Sequence, residues 1–194
     1  PWNAEMLLTA TKAAPALAAG NTVVIKSSEE APAPVLEFAK LVDEVGFPPG
    51  VFNLITGFGE PCGRALTSHP LVSRVAFTGG VDAARHVVAN TAANFAPVSL
   101  ELGGKSPIVV FDDADLEGAV NGAVAGNFGA SGQSCVAGSR VFVQAGIHDE
   151  FIAEVVRRAE AVRIGDPLDE DTDDDGLTDG EDAFAFLFGG LKLA

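Results

Sequence analysis

Residues 22–55 read TVVIKSSEEAPAPVLEFAKLVDEVGFPPGVFNLI, and the pattern changes twice along them. Thr22-Val-Val-Ile-Lys26 is a short β-branched run, a buried strand. Residues 32–45 read as a helix with acidic and basic residues on its outer face. It stops at Gly46, and Pro48-Pro49-Gly50 makes the turn. Residues 51–55 are the next strand. A strand, a helix and a strand joined by short Gly and Pro turns mark a mostly parallel sheet covered by helices.

The rhythm extends in both directions. Residues 4–19 are rich in Ala and Leu and read as a helix ended by Gly20-Asn21. Downstream, a short helix is expected at 60–67, a strand at 73–77 and a helix at 81–93. Strands follow at 97–101 and 107–111 around a Gly-Gly hinge, then a helix at 115–127 with Asp115 near its start. A strand at 140–144 and a helix at 148–163 complete the series. No internal repeat is visible. After Gly165 the apolar period disappears, which places a boundary near residue 170.

Composition narrows the function classes. The chain has 194 residues, 47% of them hydrophobic, with 22 glycines and 11 prolines, as in a packed globular protein with many short turns. No apolar run is long enough to span a bilayer, and no signal peptide is visible. The sequence starts at Pro1, and Met6 is its only methionine, which fits a piece of a longer chain or a processed product. The net charge of −15 is unevenly placed. Residues 1–165 hold 17 acidic and 11 basic residues, whereas 166–182 hold ten acidic ones. The body is mildly acidic and only the tail is extreme, which argues against nucleic acid and anionic membrane as partners.

Two cysteines, Cys62 and Cys135, have no metal-like spacing. Cys62 reads as a small buried side chain. Cys135 sits in Gly132-Gln-Ser-Cys135-Val-Ala-Gly138, between an expected helix and an expected strand, where a scaffold holds an exposed side chain rigidly. A free thiol is only slightly ionised near neutral pH, so a nucleophilic cysteine needs activation. Glu101 is a candidate partner. It ends the strand-like Val98-Ser-Leu-Glu101 and precedes Leu-Gly-Gly-Lys105, where glycines permit close backbone approach. Taken alone, it also reads as a solvated strand end.

Together the motifs resemble the aldehyde dehydrogenase superfamily, over residues 1 to about 171. The resemblance rests on Pro1-Trp2-Asn3, Val24-Ile25-Lys26, Phe77-Thr78-Gly79-Gly80, Glu101-Leu-Gly-Gly-Lys105-Ser-Pro107 and Gly132-Gln-Ser-Cys135, in the family's order, with the family's interval of 34 between Glu101 and Cys135. It implies an α/β fold: a Rossmann-like, mostly parallel sheet with helices on both faces, followed by the start of the catalytic domain. Residues 1–104 would be part of an NAD-binding domain, 105–170 the first part of the catalytic domain, and 171–194 a separate acidic tail.

The resemblance also implies roles. Cys135 looks like the thiol that attacks an aldehyde carbonyl. Asn3 and the backbone N–H of Cys135 look like the oxyanion hole. Glu101 looks like the base that activates water to hydrolyse the resulting thioester. Lys26 and Glu29 resemble the pair that binds the adenosine ribose hydroxyls. A carboxylate there repels a 2′-phosphate, so NAD is expected over NADP. Glu29 read alone is a helix-entry acid. Gly59, in a G-x-G-x-x-x-G turn, would lie near the adenine, with Gly79 and Gly80 nearer the pyrophosphate. Gly80 departs from the serine of many relatives and leaves only a backbone donor. The expected partner is a small aldehyde and the expected compartment the cytoplasm. Full-length members are homo-oligomeric and more than twice this length. The segments before Pro1 and after residue 171 would complete the sheets and supply a second glutamate for the nicotinamide ribose. The 194-residue chain alone is therefore expected to expose sheet edges and apolar faces and to turn over little aldehyde.

The tail reads differently. Asp171, Asp173, Asp175, Asp179 and Asp182 stand at positions 1, 3, 5, 9 and 12 of a loop with Gly176 at position 6. This resembles the calcium loops of thrombospondin type 3, dockerin and EF-hand proteins. Position 12 is Asp182 where a bidentate glutamate is usual, and an acidic run without order is the other reading. Such loops are typical of extracellular proteins. The alternative to an enzyme is thus a noncatalytic calcium-binding or interaction protein on a degenerate dehydrogenase scaffold.

Overall fold

The structure is a computed structural model and describes residues 1–162 and 164–165. The expected calcium loop, with Asp171, Asp173, Asp175, Asp179 and Asp182, lies outside the described residues. The chain divides into two compact units, with the division between Gly103 and Gly104.

The first unit opens with α1 (Glu5–Ala18). Its end is set by chemistry legible in the sequence. Gly20 takes the left-handed φ of +81°, its N–H donates to the Leu17 carbonyl, and the Asn21 N–H donates to Ala16. These bonds satisfy the last helical carbonyls. β1 (Val23–Lys26), α2 (Ala33–Glu44) and β2 (Phe52–Ile55) then form the β-α-β unit expected from residues 22–55. β1 and β2 pair in parallel, from Val23 opposite Phe52 to Lys26 opposite Ile55. Val35 and Val42 of α2 are buried, and Phe38 meets Phe52 of β2 edge to face, with ring centroids 5.9 Å apart.

A tight turn at Gly59–Gly63 leads into α3 (Arg64–Thr67). β3 (Val75–Gly79), α4 (Val81–Thr91) and β4 (Val98–Leu102) make a second parallel pair. β3 forms two residues later than the 73–77 expected from local propensity. The ladder sets the register: Val75 stands opposite Val98, and the last rung joins Gly79 to Leu102. Pairing overrides a short apolar run of ambiguous limits.

In the second unit, β5 (Pro107–Val110) and β6 (Arg140–Val143) pair in parallel around α5 (Leu116–Phe128), and α6 (His148–Glu160) follows. Asp115 caps α5, its carboxylate accepting from the Gly118 N–H at 3.1 Å. The core is Val110, Val120, Ala123 and Phe151, with Ile108, Leu116, Val143 and Val155 packed on it. Both helices therefore lie on one face of this ladder. The other face leaves Val109 57% and Phe142 54% exposed.

Candidate functional site

Apart from Asn3, the candidate residues in the first unit lie at or just beyond the carboxyl ends of parallel strands, where open α/β sheets bind ligands. Lys26 is the last residue of β1. Its Nζ donates to the Ser27 carbonyl at 2.9 Å and to Glu29 Oε2 at 3.0 Å. The ammonium side chain is 17% exposed and Glu29 38%. Glu29's carboxyl is held below the usual glutamate range, first by a hydrogen bond to its own backbone and then by Lys26. Glu29 is thus held ionised and already paired with Lys26.

The glycine turn at 57–63 belongs to the same cluster. The aliphatic stem of Lys26 passes Gly63, where a side chain's first carbon would lie 3.7 Å from Cδ. Gly57 has φ +151°, and a Cβ there would sit 2.7 Å from that of Cys62. Cys62 is half-buried, less enclosed than expected, and its thiol donates to the Thr56 carbonyl at 3.8 Å. Gly59 faces open space.

A second group lies at the ends of β3 and β4. Gly79 closes β3 beneath the Phe77 ring, whose Cζ would lie 2.6 Å from any Cβ there, so only glycine fits without moving the ring. Gly80 precedes α4 with no side-chain cap. It presents backbone donors at a helix N-terminus, as a pyrophosphate would need. Glu101 is exposed on β4 and pairs in register with Thr78. Asn3 is half-buried just ahead of α1.

Cys135 stands in the second unit, half-buried, in the connection from α5 to β6. The backbone of that connection is unusual. Ala130 (φ +51°), Ser131 (φ +54°) and Gly132 (φ +75°) are three consecutive left-handed residues, a conformation costly for any residue with a side chain. Beyond Cys135, the Ala137 N–H donates to Ser134 and the Gly138 N–H to Gly126. Arg140 Nε reaches the Lys105 carbonyl at 2.7 Å. Gly138 is buried, and a Cβ on it would overlap Ile108 Cδ1 and Cγ1. The thiol is thus carried on a short loop tied at both sides.

Three features escaped the sequence. Nothing in the local sequence sets Gly138 apart, and only packing shows that it is wedged on Ile108. The hydroxyls of Ser27 and Thr78 are buried without a hydrogen-bond partner, which no local pattern signals because burial depends on register. Among the described residues, no group of three or more His, Cys, Asp or Glu is placed to hold a metal. None of their helices is long and apolar enough to cross a membrane.

Comparison with known proteins bears on the whole arrangement. The profile of the aldehyde dehydrogenase family matches residues 1–182. The match runs past the boundary at 171 expected from the sequence and includes the acidic stretch. The (Z)-2-((N-methylformamido)methylene)-5-hydroxybutyrolactone dehydrogenase of Acinetobacter baylyi is 56% identical over 173 residues, 89% of this chain and 36% of that protein. Among solved structures, PnpE in complex with nicotinamide adenine dinucleotide superposes with a TM-score of 0.83 at 45% identity, over 87% of this chain and 35% of that one. An NADP-dependent enzyme of E. coli gives 0.83 at 44% identity, with the same coverage. The chain spans about a third of the length of each. A parallel α/β fold, a continuous profile match and close relatives agree, and this chain belongs to the aldehyde dehydrogenase family.

Proposed function

We propose that residues 1–104 and 105–170 are the nucleotide-binding part and the first catalytic part of an enzyme that oxidises an aldehyde to a carboxylic acid with NAD. The observation that carries this reading is the family match over residues 1–182, one continuous span that holds Asn3, Lys26, Glu29, Glu101 and Cys135.

Each residue has a task in that chemistry. The Cys135 thiolate attacks the carbonyl carbon, and the new C–S bond leaves a tetrahedral oxyanion. The Asn3 amide and the Cys135 N–H donate to that oxygen. Removing one donor of this kind costs about 3–4 kcal/mol of barrier in comparable sites. A nicotinamide cofactor, when bound, would supply the acceptor for the hydride on the carbonyl carbon. The Cys135 thioester that remains is hydrolysed by a water from which Glu101 takes a proton, and C–S cleavage returns the thiol.

The residues at the end of β1 fit the adenosine ribose. Glu29 is ionised and paired, so it accepts from free 2′- and 3′-hydroxyls and repels a 2′-phosphate. Solved neighbours include both an NAD complex and an NADP-dependent enzyme. The choice of NAD for this chain therefore rests on Glu29. Gly59 would lie beside the adenine and the N–H groups at Gly79 and Gly80 beside the pyrophosphate.

Calorimetric titration of the chain with NAD and NADP tests the reading. Saturable NAD binding is expected. Lys26→Ala with Glu29→Ala should weaken it about tenfold or more, the scale of lost charge-assisted hydrogen bonds. A folded chain that binds no NAD, or binds it equally well in the double variant, overturns the assignment.

A further inference from the structure

We propose that Thr78 is a positioning residue for Glu101: its enclosed hydroxyl donates a hydrogen bond to the Glu101 carboxylate when that side chain folds back over the β3–β4 ladder. The proposal rests on the reading of Glu101 as the water-activating base.

The ladder supplies the geometry. Thr78 and Glu101 are direct partners on adjacent rows of a parallel pair, and partners in such a ladder send their side chains to the same face. Alternation then divides the ladder. Ala76, Thr78, Ser99 and Glu101 share one face, and Val75, Phe77, Val98, Leu100 and Leu102 share the other. The first face is polar and the second apolar.

On the polar face two successive rungs differ. At the Ala76–Ser99 rung, the Ser99 hydroxyl accepts from Arg74 Nη2 at 2.7 Å. At the next rung, Thr78 Oγ1 is shut off from solvent and has no hydrogen-bond partner, while Glu101 is exposed. Buried hydroxyls are almost always satisfied, so this one calls for an acceptor. An ionised carboxylate only accepts, and a hydroxyl has one hydrogen to give, so the two groups are complementary. A directly opposite glutamate has the reach. One donor held on one carboxylate oxygen orients the group and leaves the other oxygen for the proton of water.

The test follows the Glu101 side-chain carboxyl carbon by NMR against pH, with Glu101→Gln identifying the resonance. Thr78→Val and Thr78→Ala both lack the hydroxyl, and Thr78→Ser keeps it. Loss of a donor to the ionised form should move the midpoint up by about half a pH unit or more in the first two, with Thr78→Ser restoring it. A purely structural threonine would alter the melting temperature and leave the midpoint in place. An unchanged midpoint in either hydroxyl-free variant overturns the proposal. A separate assay reads hydrolysis of a preformed acyl thioester on Cys135. If Glu101→Gln hydrolyses it normally while the midpoint still follows Thr78, the base assignment fails and the Thr78 contact stands. If Glu101→Gln blocks hydrolysis and the midpoint ignores Thr78, the base assignment stands and the contact fails.

Discussion

The stretch after β1 and the loop that carries Cys135 achieve rigidity by opposite means. At the end of β1 the backbone is ordinary, and the side chains do the positioning: Lys26 bridges the Ser27 carbonyl and Glu29 at 2.9 and 3.0 Å. In the Cys135 loop the side chains are small, and the backbone does the positioning. Residues 130–132 run left-handed, and Gly138 is wedged on Ile108. Substitution at the first place should remove chemistry and leave the fold. Substitution at the second should act on the fold, and through it on the thiol. The contrast follows from the tasks. A ribose is recognised by charge and hydrogen bonds, whereas a nucleophile must be held in one orientation by a loop with little room to move.

The sharpest way to break that contrast is to fill the wedge. Gly138→Ala puts a methyl group where Ile108 Cδ1 and Cγ1 already lie, and Ile108 packs on the core of the second unit. Overpacking of this kind typically costs about 1–3 kcal/mol. Chemical denaturation should show the loss, and the same substitution made in an Ile108→Ala chain, which lacks both overlapping carbons, should cost much less. If the single variant is neutral, or Gly138→Ala costs as much in the Ile108→Ala chain as in the wild type, the loop is not held by packing.

Relief of strain gives a smaller effect of opposite sign. Ala130 holds φ +51° and ψ +37°, which glycine adopts without a Cβ penalty. Ala130→Gly should stabilise the chain by about 1 kcal/mol, less the extra freedom glycine gains when unfolded. Destabilisation would mean that the left-handed turn is favoured by contacts of the alanine methyl. In either case the Lys26–Glu29 pair should respond to neither loop variant.

These two places also mark what the sequence disclosed. The β-α-β unit at 22–55 was legible because β-branched runs, an amphipathic stretch and Pro-Pro-Gly each have one local meaning. The ends of α1 and α2 were legible because Gly20 and Gly46 take the left-handed conformation that closes a helix. The start of β3 was not. It moved to Val75 because pairing with Val98 decides register, and register is a property of two strands. The same holds for the β5–β6 ladder, where only packing shows that α5 and α6 share one face. Lys26, Glu101 and Cys135 were singled out by ordered motifs, and Glu29 by its place beside Lys26. Gly138 and Thr78 were missed because their roles arise from Ile108 and Glu101, distant in the chain and adjacent only after folding.

The smallest expected effect concerns acid, and its sign follows from Glu29. The carboxyl is held below the usual glutamate range in the folded chain, by its own backbone first and Lys26 second. A group with a depressed folded value contributes stability that is present above its unfolded value, about 4.3, and is lost as pH falls through the folded value. With a carboxylate 38% exposed, solvent screens the pair and the increment is modest. The melting temperature of the wild-type chain should therefore exceed that of Glu29→Gln by a small, constant margin from pH 8 down to about 5. The margin should close as pH falls through the carboxylate range. Ala130→Gly supplies the contrast: its increment comes from backbone conformation, involves no carboxylate, and should stay level over the same interval. A Glu29→Gln margin equally level into strong acid would mean that the glutamate contributes by contact alone, and the ion pair at the end of β1 would lose its place as the element that points the ribose-binding carboxylate.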